Sequence, residues 1–467
     1  MASTTYDVAV IGSGPAGEKA ALEAARLGAK TLVIERLADP GGAGTLSGTI
    51  PSKSLRETVI FLERRTFDRY ASVRSEPAPM LTVGELMDRK NRVIAARVAE
   101  ILAGYRKAGV DFLQGRAHFL VPQLLGVESK AGPTQVRAQK TIIAVGTSPY
   151  HPPGVDFSCP RILDSDRILE LKELPQSLLV YGGGVIGCEY ACIFARLGCL
   201  VTLVEPRGQV LNFLDSDLSL ALVRAMSASG VQFRLGQDFE SLKGQTDRVR
   251  LTLKTGEVLE SQYLLYANGR QGNVQGLGLE QVGIEVNHRN QIEVNENYQT
   301  LIPHIYAVGD IIGMPSLVSI SNEEGRMAAR HSVTGQRGHK ITGPYPCAVY
   351  TLPEVAMIGP TEEALKQSGK EYKVGIAHYQ DLARGEILGV QEGLIKLLFE
   401  PSTGKLLAVH ILGQQASELI HIGQAVMAFG GTVHYFVEEI FNFPSLSSGY
   451  KVAALNGLKA LAGAGPT

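Results

Sequence analysis

The sequence predicts an α/β protein built from two doubly wound βαβ units and a closing α+β segment, and three observations carry that prediction. Residues 6–35 read as strand, glycine turn, helix, strand: "YDVAVIGSGPAG", an apolar-periodic "EKAALEAARLGA", then "KTLVIE". The same grammar returns at 178–205 as "LLVYGGGVIG", "CEYACIFARLG" and "CLVTLVE". Beyond Gly343-Pro344 the character changes to four strand-like runs ("EVAMIG", "YKVGIAHY", "GLIKLLFE", "LLAVHILG") and helical runs over 416–429 and 449–461.

In the first unit, Gly12, Gly14 and Gly17 permit a tight turn and a close approach of pyrophosphate to a helix N-terminus. Glu35 closes the second strand, where a carboxylate can accept from ribose hydroxyls. A glycine motif by itself is also an ordinary strand-to-helix turn; the strand, three glycines, helix and terminal acid together read as a dinucleotide site. Next come a charged helical stretch over roughly 82–108, the strand-like "KTIIAVGTSP", and the linker His151-Pro152-Pro153-Gly154, which sets a boundary near 150.

The second unit repeats the fingerprint with Gly182, Gly184, Gly187 and Glu205. Two dinucleotides are therefore expected, and a flavin dinucleotide with a nicotinamide dinucleotide is the natural pairing, because one can pass hydride to the other. Further boundaries near 270, after "YLLYANGR", and near 343 divide the chain into 1–150, 151–270, 271–343 and 344–467. The expected fold is thus two Rossmann-like dinucleotide-binding domains, the first in two parts, and a C-terminal α+β domain.

Bulk properties fit a multidomain globular protein. A chain of 467 residues with 45% hydrophobic content is too long for one core. A formal charge of −1 and a pI of about 6.8 give no global attraction to nucleic acid or an anionic membrane. No apolar run approaches the roughly eighteen residues of a membrane span. Met1–Asp7 shows no basic leader, so the expectation is a soluble, cytoplasmic protein. The five cysteines form no Cys-x-x-Cys pair, and no metal site is expected. Cys188 and Cys192, four apart on a helix with Cys199 nearby, fit a metal less well than a buried apolar role.

The order of these motifs resembles the two-dinucleotide flavoprotein disulfide reductases, the family of dihydrolipoyl dehydrogenase and glutathione reductase. "GTIPSK" (48–53), "RILDSD" (161–166), "VIGCEYACIF" (185–194), "LLYANGR" (264–270), "YAVGDIIGMPSL" (306–317) and "KVAALNGL" (451–458) most resemble its transhydrogenase branch. The resemblance implies FAD on the first unit, with Gly309-Asp310 on its ribitol, although an Asp after Gly is also a plain turn former. It implies that "AVGT" around Gly146 and "ANGR" around Gly269 link the two nucleotide domains beside the cofactors, without a catalytic role. It also implies that Lys53 and Glu189 pair beside flavin N5, where spacing alone reads them as solvated surface charges. A homodimer through the region after 344, with "ELIHIGQAVMAF" at the interface, belongs to the same inference.

Departures from the family pattern are as informative. Gly44 and Thr49 stand where the family carries its redox cysteines, and Phe443 and Ser448 stand where it carries a proton-handling His-Glu pair. A disulfide relay is therefore not expected. Val185 stands where some relatives place a tyrosine over the flavin, which implies an open nicotinamide pocket. The expected reaction is a ping-pong exchange in which NAD(H) and NADP(H) give and take hydride at flavin N5. A quinone reductase, or a flavoprotein that only carries electrons or binds a partner, is the alternative. Glu205 should favour the NAD 2′-hydroxyl over a phosphate, while Arg207 would either pair with that phosphate or point to solvent.

Overall fold

The computed structural model describes residues 4–66, 83–338, 340–390 and 392–461. Met1–Ser3, read above for the absence of a leader, and the first residue of the 82–108 stretch lie outside them.

The strand Thr4–Ile11 is the hinge of the first sheet. Its register on Thr31–Glu35 and on Gly132–Ile143 is parallel, and Thr31–Glu35 pairs in turn with Asp111–Gln114. Arg116–Val121 and Leu124–Ser129 extend Gly132–Ile143 as antiparallel strands. The seventh strand, Ile305–Ala307, returns from beyond the second unit to lie parallel to Gly132–Ile143. The helices Pro15–Arg26 and Val318–Thr334 cover this sheet, and their alanines pack with Val8, Val10 and Ile142 in one core.

The second sheet is fully parallel, in the order Gln232–Leu235, Leu200–Glu205, Ser177–Tyr181, Tyr263–Tyr266, Ile162–Leu163. Both faces are covered, which explains its near-continuous apolar runs. A three-stranded antiparallel sheet spanning Phe239–Ser261 caps it and had no signature in the sequence reading.

The C-terminal sheet is antiparallel, ordered Cys347–Val349, Val355–Ile358, Leu406–Leu412, Leu394–Phe399, Lys373–His378. The helices Ala416–Ala428 and Gly449–Leu461 pack on it, as the α+β expectation required. One core joins Val349, Leu352, Val355 and Leu412 of this domain to Leu178 and Leu203 of the second sheet, Phe194 of the helix Val185–Arg196 and Leu55 of the helix Thr49–Thr66. That shared core fixes the three units around a common cleft.

Candidate active site

The two fingerprints are built alike, and the reason is close backbone approach. A side chain at Gly12 would strike the carbonyl of Ala144, and one at Gly182 would lie 2.8 Å from the carbonyl of Ala267. Side chains at Gly17 and Gly187 would collide with the carbonyls of Gly12 and Gly182. The middle glycines differ: Gly14 has only Gly42 at 3.9 Å, and Gly184 has nothing within 4 Å. Those open positions sit at the N-caps of Pro15–Arg26 and Val185–Arg196, which have no side-chain cap, so the first-turn N–H groups face outward as anion donors.

Glu35 is buried and accepts from Ser13 N at 2.9 Å, Ser13 Oγ at 2.6 Å and Leu37 N at 2.9 Å. Glu205 mirrors it, accepting from Gly183 N at 2.5 Å and Arg207 N at 2.9 Å. Arg207 departs from both expectations set for it. Its guanidinium lies on Glu205 itself, with Nε 2.7 Å from Oε1 and Nη2 3.2 Å from Oε2, and Nη1 holds Asn212 at 2.9 Å. Burial opposes the Glu205 charge, but the Arg207 and backbone hydrogen bonds prevail and hold its carboxyl below the usual range.

A continuous cleft of about 2150 Å³ runs from the first glycine turn to the C-terminal domain. Gly12, Gly14, Glu35, Lys53, Gly146, Val185, Glu189, Gly309 and Asp310 line it; Glu205 and Arg207 do not. Asp310 is desolvated, which raises its pKa, and Thr147 Oγ1 donates to it at 3.3 Å. Arg270 binds Thr147 through Oγ1 at 2.8 Å and the carbonyl at 2.7 Å. The segments Thr147–Pro149 and Arg270–Gly272, carrying on from Gly146 and Gly269, pair antiparallel, so the two linking motifs form one crossover ladder. Gly309 N donates to the buried Glu324 at 2.8 Å, and burial pushes that carboxyl up to about 7.

Lys53 and Glu189 are not solvated charges. Glu189 is 5% exposed at its side chain, and Lys53 Nζ reaches its two oxygens at 2.6 and 2.8 Å. Tyr350 completes the group: its N–H donates to Glu189 at 2.9 Å and its ring lies 5.0 Å below the Lys53 ammonium. The sequence reading missed Tyr350, together with Tyr190, a cleft residue whose buried hydroxyl has no hydrogen-bond partner among the described residues. That orphaned donor, the uncapped helix ends and the open glycine positions suit a large polar ligand carrying pyrophosphate, which is what FAD is.

At the family's first cysteine position, a side chain on Gly44 would lie 2.9 Å from Pro15 Cγ, so Pro15 would have to shift to admit one. Among the described residues, Cys347 is the one cysteine lining the cleft, and burial raises its pKa. Cys188, Cys192 and Cys199 are buried in the core of the second unit, each with its sulfur near a backbone carbonyl. Phe443 is 81% exposed beside Ile440 at 95%, while Ser448 Oγ bonds the Ser445 carbonyl at 2.6 Å.

Two mirrored dinucleotide cradles, the first within the cleft and the second meeting it at Val185 and Ile186, define a flavin-dependent oxidoreductase of nicotinamide dinucleotides. The chain belongs to the pyridine nucleotide-disulphide oxidoreductase family, which matches residues 6–325, and residues 345–454 match that family's dimerisation domain. It is therefore an FAD enzyme that assembles as a homodimer. It is 42% identical over 465 residues to the soluble pyridine nucleotide transhydrogenase of Salmonella gallinarum, covering 98% of this chain and 99% of that one. The same named protein of Salmonella paratyphi C is 42% identical over 466 residues, with the same coverage. Among solved structures, the HOCl-induced flavoprotein disulfide reductase RclA of Escherichia coli superposes with a TM-score of 0.87 at 26% identity, covering 96% of this chain and 99% of that one. LpdA of Mycobacterium tuberculosis gives 0.87 at 28%, covering 97% and 99%. No helix among the described residues is long and apolar enough to cross a membrane.

Proposed function

We propose that this chain exchanges hydride between NAD(H) and NADP(H) with no disulfide relay. The observation that carries the reading is the part-buried Lys53–Glu189 pair in the cleft, in a chain whose first family cysteine position holds Gly44, where a side chain would lie 2.9 Å from Pro15 Cγ. The name shared by the Salmonella relatives supports it. Bound FAD supplies a two-electron acceptor and donor through which hydride passes from one nicotinamide to the other.

The residues divide the work by position. Gly14 and the first-turn N–H groups of Pro15–Arg26 hold pyrophosphate, Glu35 takes the ribose hydroxyls, and Asp310 takes the ribitol. Lys53 sets a positive charge, fixed by Glu189, in the cleft wall, where it stabilises developing negative charge. Glu189 and the Tyr350 ring hold that ammonium in place. Gly184 and the Val185–Arg196 N-terminus receive the second pyrophosphate, and Glu205 with Arg207 reads the adenosine ribose. The division at 150, 270 and 343 belongs to this reading, as does action in the cytoplasm.

The test is a steady-state assay with NADPH as donor and thio-NAD⁺ as acceptor, run beside NADH with a soluble quinone. Turnover of the thio-nicotinamide well above that of the quinone supports transhydrogenation; quinone turnover alone would replace it with the quinone reductase reading.

A further inference from the structure

Lys396 lies in Leu394–Phe399, a strand buried along its whole length, and its side chain is 0% exposed. A buried ammonium persists only where charge and hydrogen bonds surround it. Three carboxylates do so: Asp215 Oδ1 at 2.8 Å, Asp217 Oδ2 at 2.9 Å, and Glu362. They come from two different units. Asp215 is the N-cap of the helix Ser216–Ala228 in the second nucleotide-binding unit, whereas Glu362 opens the helix Glu362–Gln367 of the dimerisation domain. Asp215 Oδ2 also accepts Glu362 N at 3.0 Å and lies 3.6 Å from the buried His410 Nδ1, and the Ser216 hydroxyl donates to Glu363. The point where the carboxylates converge is filled by the Lys396 ammonium, which ties the two units together.

What enters this clamp is the loop from Arg207 to Leu214. Within it, Leu211 holds φ at +46°, a backbone conformation that costs a branched residue energy and persists only when its surroundings over-determine it. Leu211 N donates to the Gly183 carbonyl at 2.8 Å, and Leu214 N to the Leu211 carbonyl at 2.8 Å. Gly183 N in turn donates to Glu205. The strained loop is therefore pinned to the second glycine turn in its middle and to Lys396 at its end.

We propose that Lys396 is a positioning residue for the nicotinamide dinucleotide: by clamping Asp215 to the dimerisation domain it holds the Arg207–Leu214 loop over the second glycine turn and so sets nicotinamide dinucleotide affinity. The proposal rests on the reading of Glu205 and Arg207 as the ribose contacts. Without the clamp the strained loop populates other conformations, and the apparent dissociation constant rises by the inverse of the fraction that stays competent.

Anaerobic stopped-flow reduction of the FAD-loaded dimer by NADH gives both the dissociation constant and the limiting rate. For Lys396→Met, an increase of about tenfold in the dissociation constant is expected, with FAD content and limiting rate within about twofold, and with most of the affinity recovered in Lys396→Arg. Asp217→Asn, at the exposed edge of the clamp, should give about a threefold increase and supplies the test where Lys396→Met does not fold. A lowered melting temperature with unchanged NADH affinity in these variants would overturn the proposal and leave Lys396 a purely structural residue. If Glu205→Ser also leaves NADH and NADPH affinity unchanged, the ribose reading itself fails; if Glu205→Ser changes them and the clamp variants do not, only the clamp fails.

Discussion

Lys53 and Glu189 stand 136 positions apart in the chain and meet at 2.6 Å in the wall of the cleft, the lysine from the Thr49–Thr66 helix and the glutamate from the Val185–Arg196 helix. Breaking such a pair leaves a charge that is nearly buried and uncompensated. Lys53→Met should lower the rate of flavin reduction by roughly 10²-fold, the scale of losing one preorganised charge in a catalytic site. Stopped-flow bleaching measures it, and a rate within a factor of two of wild type would remove Lys53 from the chemistry. Glu189→Gln should cause a smaller loss, because the amide still accepts from Lys53 and from Tyr350 N.

Cofactor preference turns on Glu205. A 2′-phosphate about 4 Å from an unpaired carboxylate would cost on the order of 4 kcal/mol at an effective dielectric near 20, and Arg207 lying on Glu205 reduces that penalty. NADH should therefore be preferred without excluding NADPH. Arg207→Ala should depress kcat/KM for NADPH by roughly tenfold more than for NADH, and Glu205→Ser should shift the ratio the other way. An unchanged ratio in both variants contradicts the assignment.

The acid limb of stability has two opposed contributors. Glu324 titrates in the folded protein at about 7, above its ordinary 4.5, so its contribution is fully present below pH 4.5 and is lost as pH rises through 7. Buried His410 is pushed down to about 4 from 6.5, so its contribution is present above 6.5 and is lost as pH falls toward 4. Glu324→Gln keeps an acceptor for Gly309 N and should raise the melting temperature at pH 8 more than at pH 5. Equal shifts at both pH values would show that Glu324 does not titrate in this range.

Most of the cofactor scaffold was legible because glycine turns and strand-end acids are local: Gly12 to Glu35 and Gly182 to Glu205 each lie within one βαβ unit. The Lys53–Glu189 pair was legible only through family resemblance, since no spacing rule joins residues on separate helices. Tyr350 could not be read at all, because its part is played by a backbone N–H and a ring face set by the turn after Cys347–Val349. The Arg207 contact was not legible either: the strand Leu200–Glu205 ends before it, and the bend that follows turns its N–H and guanidinium back onto Glu205. Lys396 is the single charge in the otherwise continuous apolar run Leu394–Phe399, and nothing local says which carboxylates meet it; its three partners come from Asp215, Asp217 and Glu362, far away in the chain.

Restoring the missing sulfurs should not restore a disulfide enzyme. In Gly44→Cys/Thr49→Cys the new side chain at 44 meets Pro15, and overpacking of this kind costs about 1–3 kcal/mol. The variant should melt below wild type and show no thiolate-to-flavin absorption band when half reduced. A long-wavelength band abolished by thiol alkylation would show that the site still accommodates the pair.

The most direct test is an anaerobic titration of the FAD-loaded dimer with NADPH, followed by thio-NAD⁺. Complete flavin bleaching is expected at one NADPH per FAD with no thiolate-to-flavin band, then full recovery of flavin colour with about one thio-NADH formed per FAD. Bleaching that needs a second equivalent of NADPH, a long-wavelength band that thiol alkylation abolishes, or failure of thio-NAD⁺ to restore the flavin would contradict transhydrogenation without a disulfide relay.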